Sequence, residues 1–159
     1  MNTLAVLGLR ILLVLLFIGA LYPELILVPS AGAEISRWYP DRGYLEMPYV
    51  TLGILAVACS QVAIIALWAL LSRVRRGAIF AESAFRWVDV IIGCGVVATA
   101  LVAFVEVNAI VIENIGSPAI LILLTSAVIA GGAFVLLMIV MRGLLRSATT
   151  LQRELEEVV

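Results

Sequence analysis

The sequence predicts an all-α polytopic membrane protein: four transmembrane helices, both termini cytoplasmic, and a C-terminal cytoplasmic amphipathic helix. Three observations predict it. First, 64% of the residues are hydrophobic and only 13% are charged, against roughly half and about a quarter in soluble domains. That surplus exceeds what one small water-facing core buries, so lipid must solvate much of the surface. Second, apolar runs at residues 4–28, 50–71, 88–112 and 119–141 each hold the ~20 residues that a helix needs to cross a bilayer. Third, the arginines are unevenly placed. Segments 72–87 and 142–159 hold seven of the ten, and segment 29–48 holds two, Arg37 and Arg42. Arginines close to span ends stay on the cytoplasmic side during insertion. The expected location is therefore the inner (plasma) membrane.

The first run, residues 4–28, is interrupted by Arg10, Pro23 and Glu24. Arg10 lies about two turns in, within snorkelling reach of the near interface. A cleaved signal peptide would present a basic n-region and a shorter apolar stretch. Here no charged side chain precedes Leu4, so a retained helix is expected. Residues 29–48 read as a long loop carrying Glu34, Arg37, Asp41, Arg42 and Glu46. Trp38, Tyr39, Tyr44 and Tyr49 cluster there, as aromatic rings with a polar edge do at headgroup level. A short interfacial helix is expected around residues 35–39.

The second run carries Gly53, Ala56, Ser60 and Ala63 at three- and four-residue spacing, a stripe that lets another helix approach closely. Gln61 falls near mid-membrane, where an unpaired amide is costly, so it should point into the bundle. The third run repeats the device with Gly95, Thr99 and Ala103, and the fourth with Thr125, Ser126, Gly131 and Gly132. Between them, residues 113–118 (ENIGSP) read as a tight outer turn. In the tail, residues 142–159, Leu144, Leu145, Ala148, Leu151, Leu155 and Val158 recur at helical spacing among Arg, Gln and Glu. No internal repeat is present, so one domain is expected.

Within the segment 72–87, Arg76-Gly77-Ala78-Ile79-Phe80 is followed by Ala84-Phe85-Arg86-Trp87 and by Ile91-Ile92-Gly93. With these residues the chain resembles DUF2975, a bacterial family of small four-helix membrane proteins. The tail resembles the family's as well, through Ala148, Leu151-Gln152, Glu154-Leu155-Glu156 and Val159. It departs at Glu156-Glu157-Val158, where the family pattern is more polar. The resemblance implies the architecture above. It also implies a small helix-turn-helix regulator as a partner, since genes for such proteins often lie beside one. It carries over no catalytic residue.

Candidate functional residues follow from depth and face. Glu106 continues the Gly95–Thr99–Ala103 face toward other helices rather than lipid, and an ionisable group there is a functional candidate. With Asn108, Glu24 and Glu113, and with Glu34, Asp41 and Glu46 nearby, it would form an outward-facing site for protons, cations or a cationic peptide. The plainer reading pairs Glu106 with Arg37 or Arg42, or lets it reach the interface. Arg10 and Asp89, near the inner ends of their helices, are expected to form an ion pair. Arg73, Arg75, Arg76, Phe80 and Arg86 form a topology signal that also suits anionic lipid or an acidic partner. Leu144, Ala148, Leu151 and Leu155 are the tail stripe that would dock into a partner's groove.

The chain has no His, and its two cysteines, Cys59 and Cys94, lie inside apolar runs with no metal-ligand spacing. No Gly-rich phosphate loop is present. No enzyme, metal or cofactor is expected, and a loop pinned to the membrane at both ends argues against direct nucleic-acid binding. The expected function is a non-enzymatic membrane sensor or signalling adaptor. It would hold the helix-turn-helix regulator through the arginine segment and the tail. The alternative is an oligomeric transporter or channel for a small molecule or ion, using Glu106.

Overall fold

The computed structural model describes residues 3–74, 82–113 and 118–157, and they are almost entirely helical. Helix α1 spans Thr3–Tyr22, α2 Val28–Trp38, α3 Glu46–Val74, α4 Glu82–Val107 and α5 Pro118–Glu157. Stretches long and apolar enough to cross a membrane cover Leu7–Trp38, Pro40–Ser72, Phe85–Ile112 and Pro118–Thr150. The four expected crossings are therefore present, and their ends differ from expectation.

The first difference lies at Pro23. A proline has no N–H to donate and interrupts the four-residue ladder. The chain does not turn there. It widens into a π-helical stretch, Pro23–Leu27, in which the Val28 N–H reaches back to the Pro23 carbonyl. The helix then continues as α2 to Trp38. Residues 29–48 are thus not a long loop: α2 is followed by a 3₁₀ turn, Pro40–Leu45, and then by α3. The expected short helix around residues 35–39 is the end of α2. A second π-helical stretch, Asn108–Ile112, closes α4, with the Glu113 N–H on the Asn108 carbonyl at 3.0 Å. At the C-terminal end the fourth span and the tail form one uninterrupted helix, α5.

Packing is that of a membrane protein. The buried side chains among the described residues are apolar, led by Leu13 (2% exposed), Ala66 (1%) and Ile91 (2%). Large apolar side chains such as Leu4, Val111 and Ile122 are more than two-thirds exposed, which in water would be an aggregation surface and in lipid is the expected exterior. Helices α3 and α4 form the most extensive pairing, α5 lies on α4, and α1 and α2 lie on α3.

The small-residue stripes make these contacts close. A Cβ on Gly53 would stand 2.8 Å from Cγ1 of Val28, and one on Gly131 would collide with the Thr99 side chain. Gly132, expected on the same footing, has open space beside it. At one end of the molecule Leu13 and Leu71 pack with Ile64 and Leu67; at the other Leu45 and Tyr49 pack with Ile35, Val105 and Ala109. We call these the arginine end (Arg10, Arg86, Arg142) and the aromatic end (Trp38, Tyr39, Tyr44, Tyr49).

Candidate functional site

Polar side chains meet between helices at successive heights. At the aromatic end the 3₁₀ turn brings Arg42 and Tyr44 over the close of α4. Arg42 Nη1 lies 3.5 Å from Glu113 Oε2, and the Tyr44 hydroxyl donates to Glu113 Oε1 at 3.4 Å. One turn into α3, the Tyr49 hydroxyl donates to Asn108 Oδ1 at 2.6 Å. Beside them Ser36 of α2 donates to Glu46 Oε2 at 2.8 Å. Arg42, Tyr44, Tyr49, Asn108 and Glu113 are thus one cluster tying the 3₁₀ turn, α3 and the second π-helical stretch together. Glu113 keeps a fifth of its side chain exposed and Arg42 more than a third, so the cluster meets its surroundings through a charged pair.

The other expected site residues stand elsewhere. Glu106 accepts a hydrogen bond from the Thr125 hydroxyl of α5. It faces a helix, as its position predicts, and pairs with neither Arg37 nor Arg42. Glu24 accepts from Gln61 Nε2 at 2.5 Å. The four residues Glu106, Asn108, Glu24 and Glu113 therefore do not converge. Asn108 and Glu113 share the aromatic-end cluster, and Glu24 and Glu106 each hold a separate partner.

The height of the Glu24–Gln61 contact is measured by two helices. Glu24 is 14 positions from Arg10 and 13 from Arg37, about 20 Å each way at 1.5 Å per residue. Gln61 is 15 positions from Glu46 and 12 from Arg73, again ~20 Å from each. Both residues sit near the middle of their spans, so Glu24 is not at an outer helix end. Polar groups at that depth need partners, and each supplies the other's.

At the arginine end the expected Arg10–Asp89 pair is not made. Asp89 pairs with Arg142 of α5: Nε lies 2.5 Å from Oδ1 and Nη2 donates to Oδ2 at 2.9 Å. Arg10 instead lies beside Ile11, Val14, Leu15 and Trp68, its guanidinium outside any ion pair among the described residues. Ridge position explains the exchange. Among the described residues helix α1 packs on α3 and not on α4, whereas α5 packs along α4. Arg75, Arg76 and Phe80 lie outside the described residues, as do the side chains of Arg73, Leu151 and Leu155. Arg86, Leu144 and Ala148 are exposed.

Sequence reading offered Arg42 to Glu106 rather than to Glu113, and missed Tyr44, Tyr49, Gln61 and Arg142 as partners. Equal counting from the span ends, applied to Glu24 and Gln61, would have matched that pair. No group of three or more His, Cys, Asp or Glu able to hold a metal occurs among the described residues.

Compared with known proteins, residues 30–159 match the model of DUF2975, a family described as protein of unknown function. The chain belongs to the DUF2975 family. The match begins within α2 and runs through the aromatic-end cluster to the C-terminus, so Tyr49 and Gln61 of α3, which hydrogen-bond to residues of the two π-helical stretches, fall inside the DUF2975 region, while Glu24 precedes it. No curated protein and no solved structure matches the chain.

Proposed function

We propose that this DUF2975 protein is a non-enzymatic integral membrane sensor and regulatory adaptor. One observation carries the reading: α5 is a single helix of 40 residues, about 60 Å long, twice the ~30 Å hydrocarbon core. It packs along α4, which leads into the second π-helical stretch and Glu113 of the cluster, and it runs past the arginine end. A change in the cluster that shifts α4 therefore has a rigid element along which to travel.

In this reading the arginine end and both termini are cytoplasmic, which the arginine distribution supports. The Arg42–Tyr44–Tyr49–Asn108–Glu113 cluster receives the signal. The segment with Arg73, Arg75, Arg76, Phe80 and Arg86, together with Leu144, Ala148, Leu151 and Leu155 of the tail, holds a small helix-turn-helix regulator. The partner docks helix-in-groove on the tail stripe, and release follows a shift in helix packing.

The test is a tagged pull-down from native membranes, full-length chain against a truncation after Met141. Recovery of a helix-turn-helix protein only with the full tail is the expected outcome. Equal recovery with both chains, or none with either, would sink the adaptor reading. Membrane fractionation of the truncated chain confirms that it still inserts.

A further inference from the structure

Helices α1 and α5 both flank the α3–α4 pair, yet no close backbone approach joins them among the described residues. Between them lies a cleft of about 500 Å³, walled by Leu16 of α1, Ile64 of α3, Ala98 of α4, and Phe134 and Met138 of α5. Its polar atoms ask for no polar guest. The Ser60 hydroxyl is turned to the Ala56 carbonyl at 3.2 Å and the Thr99 hydroxyl to the Gly95 carbonyl at 2.8 Å. Cys94, the remaining polar side chain in the wall, is a small and weakly polar one.

Size and charge identify the guest. A methylene occupies roughly the share of a water molecule, about 30 Å³, so the cleft takes on the order of sixteen of them, one lipid chain. On α5 the wall positions Gly131, Phe134 and Met138 continue at four-residue spacing to Arg142 and then Arg146. Arg142 spends Nε and Nη2 on Asp89 and keeps Nη1. Arg146 is exposed and without an ion pair among the described residues. A cationic mouth one turn beyond an apolar slot matches an anionic headgroup above a hydrocarbon chain.

We propose that the cleft binds one phospholipid with an anionic headgroup, one of its two acyl chains between α1 and α5 and its phosphate at Arg142 and Arg146. The full-length protein in a neutral detergent, titrated with phosphatidylglycerol or with phosphatidylcholine of the same chains, tests it by native mass spectrometry. One phosphatidylglycerol per chain should be retained, preferred on the order of tenfold over phosphatidylcholine. Ala98→Phe should lower retention of both lipids. Arg142→Gln with Arg146→Gln should bring the two toward parity.

A second measurement needs no folded cleft variant. In Cys59→Ser, Cys94 is the one remaining thiol, and its reaction with a small maleimide should slow when phosphatidylglycerol is added. Retention that is no better than in Ala98→Phe, or Cys94 reactivity indifferent to lipid, overturns the proposal. So does a lipid-free dimer that protects Cys94, which would put a second copy in the cleft.

Discussion

Gln61 and Glu24 are 37 positions apart and neither is remarkable alone; depth makes them a pair. Their bond is worth little in itself, since interhelical hydrogen bonds in membranes average well under ~1 kcal/mol with a ceiling near 2. Stranding one partner costs more than losing the bond. Gln61→Leu should therefore destabilise the protein by about 1–2 kcal/mol in detergent unfolding, and adding Glu24→Leu should recover part of that loss. A double variant that is simply the sum of its singles would deny the contact. The Asp89–Arg142 pair follows different arithmetic. Its side chains are 49% and 38% exposed, so solvent screens it, and Asp89→Asn should cost no more than ~1 kcal/mol. Arg142→Gln should couple to Asp89→Asn in a double-variant cycle on thermal stability, and Arg10→Gln should add to it independently.

The helices were legible from hydropathy because lipid allows a spanning chain few other backbone solutions. Their ends were less so. Pro29 and the charged residues after it read as the end of the first span, and the helix, widened at Pro23–Leu27, runs on to Trp38 instead. A π-helical turn accommodates an extra residue without ending the helix, and a window average of side-chain polarity cannot see it. The candidate site was legible by residue type, through the aromatic cluster and the carboxylates, but not by partner. Whether Asp89 meets α1 or α5 depends on which helix lies beside α4, and composition is silent on neighbour order. The wide turn sets the phase of α2: Gly32 meets Val50, and Val28 meets Gly53, only in that phase. Ile26 is half exposed, so Ile26→Ala should change stability by less than ~0.5 kcal/mol. Deleting Ile26 should turn α2 by about 100° and break its seat on α3. Disulfide trapping between cysteines placed at Gly32 and Val50 in a Cys59→Ser, Cys94→Ser background should succeed with Ile26→Ala and fail with the deletion.

Four spans of alternating direction put the starts of α1 and α4 and the ends of α3 and α5 at one level. With seven arginines in the segments there, a reporter that is active only in the cytoplasm should work when fused to either terminus and fail when inserted at Gly43. Activity at Gly43 would invert the orientation and with it the roles given to the two ends. The same arrangement seats α5 along α4 among the described residues, clasped near its start by Glu106–Thr125 and further along by Asp89–Arg142. A rod held along one side is a lever. Pivoting about Thr125, α5 has 32 residues beyond the fulcrum, an arm of about 48 Å, so a tilt of about 10° sweeps its far tip through ~8 Å. Arg142, barely halfway along, travels only ~4 Å for the same tilt. A displacement too small to unseat side chains at the fulcrum becomes, at the tip, nearly the width of a helix.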